Sequence, residues 1–81
     1  MKPAPARLEK KVVKAACLYR DSQDTTPIRV QQRFYDKFKK AWNELVVAME
    51  CRGSEDLMVH ENLMSIVART PRKILTPGKD Y

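Results

Sequence analysis

The sequence predicts an all-α protein, a three-helix bundle with a long central helix and, from that length, a helical homodimer. Three observations carry this expectation. Only 2 glycines occur in 81 residues, too few for the turns that a β-sandwich or barrel needs every ~8–12 residues. Apolar residues return at helical spacing in three stretches, about 6–20, 27–52 and 55–69. Between these stretches stand recognisable stop and start signals. The composition, 43% hydrophobic and 32% charged, is that of a folded chain and not a disordered one. The length allows a single helical domain, residues 6–70, between a flexible N-terminus (1–5) and an extended C-terminal tail (71–81).

The opening "MKPAPA" is punctuated by prolines and expected to fray. From Ala6 to about Arg20, Leu8, Val12, Ala15, Ala16 and Tyr19 share one face of a helix, while Arg7, Lys10, Lys11 and Lys14 gather opposite. The apolar face is narrow and rich in alanine, which suits close approach to a larger element. "DSQDTT" then reads as a polar turn.

The second helix has the clearest start signal. Thr25 or Thr26 is placed to cap it, and Pro27 stands where a first helical residue tolerates lacking an N–H. Its expected end is Gly53, preceded by Arg52 at the negative end of the dipole. A helix over 27–52 would be about 39 Å long. Within it, "RFYDKFKKAWNEL" interleaves aromatic and basic residues, as a surface that stacks on nucleic-acid bases would. The helical wheel separates the two kinds. Phe34, Phe38, Ala41, Leu45 and Met49 form one stripe, flanked by Trp42 and Ala48, and are assigned to the core or a dimer seam. Arg29, Arg33, Lys37 and Lys40 form another stripe roughly opposite, broken by Asp36 and Glu44. Rings and cations therefore lie on different faces, with Tyr35 on the shoulder.

The third helix opens with Ser54, Glu55 and Asp56, acids that suit a helix N-terminus. Leu57, Val59, His60, Leu63, Met64, Ile66 and Val67 cover about half its circumference. Thr70, which precedes Pro71, ends it. In the tail, Ile74 and Leu75 are candidates to pin the chain to the body. Val47 and Met58 fall on otherwise polar faces and suggest a second contact surface.

Charge is distributed unevenly. Residues 1–40 hold eleven Lys/Arg and four Asp/Glu, a net +7; residues 41–81 hold five and six, a net −1. Such asymmetry points to an anionic partner for the N-terminal half. The residues expected to meet it are Arg7, Lys10, Lys11, Lys14, Arg29, Arg33, Lys37 and Lys40, as phosphate or carboxylate partners and not base readers. Catalysis is not expected: a Cys51–His60 pair is conceivable, but no oxyanion loop, glycine-rich cradle or carboxylate pair accompanies it. Two cysteines and one histidine at scattered spacing make no metal site, and no cofactor is implied. A DNA-reading role for the third helix is disfavoured by Glu55, Asp56 and Glu61, which phosphate would repel. No export signal or membrane span is evident, so a cytoplasmic, reducing location is expected, with Cys17 and Cys51 as small core residues. The leading functional expectation is a small regulatory protein, not an enzyme, whose basic half engages nucleic acid or the machinery handling it. The competing one is an adaptor or inhibitor that binds an acidic surface of a partner protein.

Overall fold

The structure is a computed structural model that describes residues 2–23, 25–51 and 55–75. Three helices form where the apolar periodicity places them: α1 (Ala6–Ser22), α2 (Ile28–Met49) and α3 (Glu55–Arg69), with no strand among the described residues. The three-helix bundle expected from the sequence is the fold observed. α1 is the shared partner. It packs along α2 and also against α3, whereas α2 and α3 make little direct contact. The apolar stripes of α1 and α2 meet with α3 to bury Leu8, Val12, Ala41, Leu45, Met49 and Leu63 in one cluster. Val12, Leu45 and Met49 are completely inaccessible to solvent. Burying side chains of this size contributes about 1.5–3 kcal/mol each. Phe34 is buried, and Phe38 and Trp42 are half-buried. The stripe on α2 is thus covered largely by α1 of the same chain.

The junction between α1 and α2 differs from the sequence expectation. α1 runs two residues past Arg20, and Asp21 and Ser22 are helical and buried. Side chains of the supposed turn support that extra length by bonding back to it. The Ser22 hydroxyl donates to the Tyr19 carbonyl (2.7 Å), Thr25 to that of Asp21 (3.2 Å) and Thr26 to that of Ser22 (2.7 Å). The threonines therefore serve the end of α1. The residue flanking α2 is Pro27 itself, in an extended conformation, with no side-chain cap. Gln31 ties the junction to α2 by donating to the carbonyls of Gln23 and Thr26.

The end of α2 is also earlier than expected. Glu50 takes the left-handed conformation (φ 53°, ψ 47°), and its N–H bonds to the Val47 carbonyl while that of Cys51 bonds to Val46. This double closure is the usual way a helix satisfies its last carbonyls, although glycine is the usual residue there. The chain start reinforces it: the Lys2 N–H donates to the Met49 carbonyl (2.7 Å) and its ammonium lies 3.4 Å from the Glu50 carboxylate. The expected stop at Arg52 and Gly53 lies outside the described residues.

α3 has less apolar cover. Leu63 and Val67 are buried and Val59, His60 and Met64 half-buried, but Leu57 and Ile66 are exposed, contrary to their assignment to the packed face. α3 packs mainly against α1 and touches α2 only slightly, so a half-circumference of apolar residues is more than these contacts cover. What holds its C-terminal end is Arg20 of α1. The guanidinium donates through Nη1 to the carbonyls of Val67 and Thr70, through Nη2 to that of Pro71 (3.2 Å), and through Nε to Asp21 Oδ1 (2.9 Å). The last carbonyls of a helix have no intrahelical donor, and a cation there also meets the negative dipole end. The hydrogen bond to Asp21 holds the guanidinium pKa above its ordinary value, against the opposing effect of burial. Beyond α3, Leu75 is buried and Ile74 is 89% exposed, so of the two expected anchors only Leu75 is seated.

Candidate anion-binding groove

Because α1 and α2 run antiparallel, their basic faces can meet along one edge of the interface. Lys11 and Lys14 of α1 and Lys37 and Lys40 of α2 line a single groove of about 700 Å³. Its floor is apolar: Ala15 and Leu18 from α1, Phe34 and Ala41 from α2. All four lysines are exposed, whereas Phe34 and Ala41 are buried. The Lys37 ammonium lies 5.9 Å from the centre of the Phe34 ring, a distance at which a cation is attracted to the ring face. Long lysine stems can cover apolar surface while their heads stay in water. This groove combines cations with an apolar base, although the wheel of α2 alone separates them.

Glu44 is the one acid in the groove lining. Its Oε2 lies 2.9 Å from Lys11 Nζ, an ion pair that crosses from α2 to α1. The hydrogen bond from Lys11, its charge and, less strongly, that of Arg7 hold the Glu44 carboxyl below its ordinary pKa. A carboxyl lowered in the folded state keeps its ion pair at neutral pH. The contribution is present above the ordinary carboxylate pKa and is lost only as pH falls through the lowered value.

The other cations are distributed elsewhere. Arg7 stands close enough to Glu44 to act on its charge but does not line the groove. Lys10 lines a second groove of about 530 Å³, between α1, α3 and the tail, whose walls include Val13, Cys17, Ile66 and Leu75. Lys14 lies on the ridge between the two grooves and lines both. Arg29 and Arg33 are exposed on α2 and line neither groove. The eight candidate residues therefore do not all line one groove, but the two lysine pairs do.

Two features of this region do not emerge from the sequence: the floor residue Leu18, and the role of Glu44. The signal was available in the antiparallel hairpin itself. Counting outward from the loop on both sides brings Tyr19 opposite Tyr35 and Lys11 opposite Glu44, and in the structure the tyrosine rings lie 5.3 Å apart. Lys39, outside the expected stripe, lies 5.7 Å from the centre of the Tyr35 ring.

His60 stacks edge-on to Trp42, with ring centres 5.1 Å apart and planes at 82°. Cys17 and Cys51 are free thiols, each half-buried. No group of three or more metal-ligating side chains occurs among the described residues, and no helix among them is long and apolar enough to cross a membrane. The chain matches no family model, no curated protein and no solved structure.

Proposed function

We propose that the protein is a binding module, not an enzyme, that receives an acidic segment of a partner protein in the lysine-rimmed groove between α1 and α2. The observation that supports this reading is the convergence of Lys11, Lys14, Lys37 and Lys40 around an apolar floor of Ala15, Leu18, Phe34 and Ala41. A protein segment with carboxylates on one side and aliphatic side chains on the other can use both parts. Its acids meet the ammonium groups and its aliphatic groups cover the floor. A nucleic-acid backbone would use the cations but would offer little to cover Ala15 and Leu18, the half-buried part of the floor. Stacking on bases also requires accessible rings in the groove; Phe34 is buried, Trp42 is engaged by His60, and the exposed Tyr35 does not line the groove. For these reasons the acidic protein surface is preferred over nucleic acid as the partner. The homodimer is a separate expectation. With the α2 stripe covered by α1, a dimer would be built on exposed residues such as Val47, Leu57 and Met58, and a monomeric mass at micromolar concentration would end that expectation.

The test of the main reading is a fluorescence-anisotropy titration with three labelled probes at two salt concentrations. The probes are a peptide alternating Glu and Leu in helical register, polyglutamate of equal charge, and mixed DNA and RNA. The Glu/Leu peptide is expected to bind more tightly than polyglutamate, because only it covers the floor. Reversal of Lys14, Lys37 and Lys40 to Glu should abolish binding without changing the far-ultraviolet circular dichroism. Tighter binding of nucleic acid than of either peptide, with a steep loss at higher salt, would instead favour the nucleic-acid reading.

A further inference from the structure

Glu44 interrupts an otherwise cationic groove, and its position is not incidental to the lysines. Its carboxylate is drawn across the mouth of the groove to Lys11, 33 residues earlier in sequence, with 46% of the Glu44 side chain and 56% of the Lys11 side chain exposed. Resting on the reading of the groove as a site for an acidic protein segment, we propose that Glu44 is an internal substitute for a partner carboxylate. It occupies Lys11 in the free protein and must release it when the segment docks.

The chemistry follows from charge and reach. A lysine ammonium is a compact point charge, so a carboxylate already at 2.9 Å satisfies much of its demand. An incoming acid would meet a neutralised Lys11 and, beside it, a carboxylate of its own sign. Docking at that end therefore requires exchange: Glu44 turns out toward water and the partner's carboxylate takes its place on Lys11. Exchange is feasible because an ion pair this exposed is held only weakly. Glu44 is the one acid in the groove lining and is held by Lys11, so the segment meets the end with Lys14 and Lys40 first. Glu44 thereby sets a threshold. Segments with too few acids to reach Lys11 as well as the other three gain nothing from that end, and those with enough can displace Glu44.

The experiment uses the full chain and the labelled Glu/Leu peptide. Glu44→Gln keeps the shape of the side chain and frees Lys11. Affinity should rise about threefold or more at low salt, mainly through faster association, and the rise should shrink as salt is added. Lys11→Gln should remove the gain in the Glu44→Gln background, whereas Lys39→Gln, an equal change in net charge at a lysine that lines neither groove, should leave the gain in place. That contrast separates release of Lys11 from a general change in net charge. All these sites are exposed, and thermal melts should confirm that folding is intact. If the peptide binds and depends on Lys14, Lys37 and Lys40, yet Glu44→Gln leaves affinity unchanged or lowers it, the substitute role is wrong and the groove reading stands. A gain from Glu44→Gln that persists after Lys11→Gln also overturns it, because the effect would then not pass through Lys11. If neither the wild type nor Glu44→Gln binds the peptide, the groove reading fails and this inference fails with it.

Discussion

Along α2, the buried contacts are Phe34, Ala41, Leu45 and Met49, none more than 3% exposed. Along α3, among the described residues, only Leu63 and Val67 are buried, and the C-terminal end of the helix is fixed instead by three carbonyls converging on Arg20. The first seam is a distributed apolar contact in which each side chain supports its neighbours. The second combines a smaller apolar contact with a directed polar clamp at one end. Apolar contact is tolerant of angle and spreads its energy over the helix, whereas a guanidinium fork acts only where its geometry is met. α2 should therefore unfold with α1 as a unit, while the C-terminal end of α3 depends on a single residue, Arg20.

The largest expected effect tests the distributed seam. Leu45→Ala should lower the unfolding free energy by about 4 kcal/mol, by lost transfer energy plus the cavity left behind, read as a lowered urea midpoint. A loss below about 2 kcal/mol would mean that α1 and α2 can collapse into the gap. Next in size is the clamp. Arg20→Ala leaves Asp21 buried without its cation and should cost about 3 kcal/mol. Hydrogen exchange should show the last turn of α3 opening well before α2. Equal loss of protection in both helices would show that the two seams are one cooperative unit. The smallest effect concerns the αL residue that separates α2 from α3. Glu50→Gly should raise stability by up to about 1 kcal/mol, because glycine takes φ 53° without steric cost. The exposed ion pair lost with Lys2 should offset little of this gain. A lower melting temperature would show that the Lys2 contacts, and not the backbone turn, close α2.

The same contrast explains what could be read from the sequence. Periodicity located all three helices and identified Leu8, Val12, Leu45 and Leu63 as inward-facing, because a distributed apolar contact leaves a repeating pattern in the chain. Directed contacts leave none. Nothing in the local pattern around Arg20 indicates that it reaches carbonyls 47 to 51 residues away, and so "DSQDTT" reads as a turn from its first residue. Helix ends were misplaced for a related reason. Thr25 and Thr26 resemble N-caps of α2, yet their hydroxyls bond backward to α1, and Glu50 closes α2 where a glycine was awaited three positions later. Of the candidate binding residues, wheel geometry gave the faces of single helices. Only the pairing of helices brought Lys11 and Lys14 to Lys37 and Lys40 and placed Leu18 beneath them. A surface shared by two helices is a property of their alignment, and no one-helix projection contains it.

The edge-on contact between Trp42 and His60 also makes the weakly joined side of the bundle visible to optical methods. The chain has one tryptophan and one histidine, and they sit together where α2 and α3 otherwise scarcely touch. Indole emission from this protein is therefore a single-site signal. It reports the separation of those two helices directly, without any label being introduced.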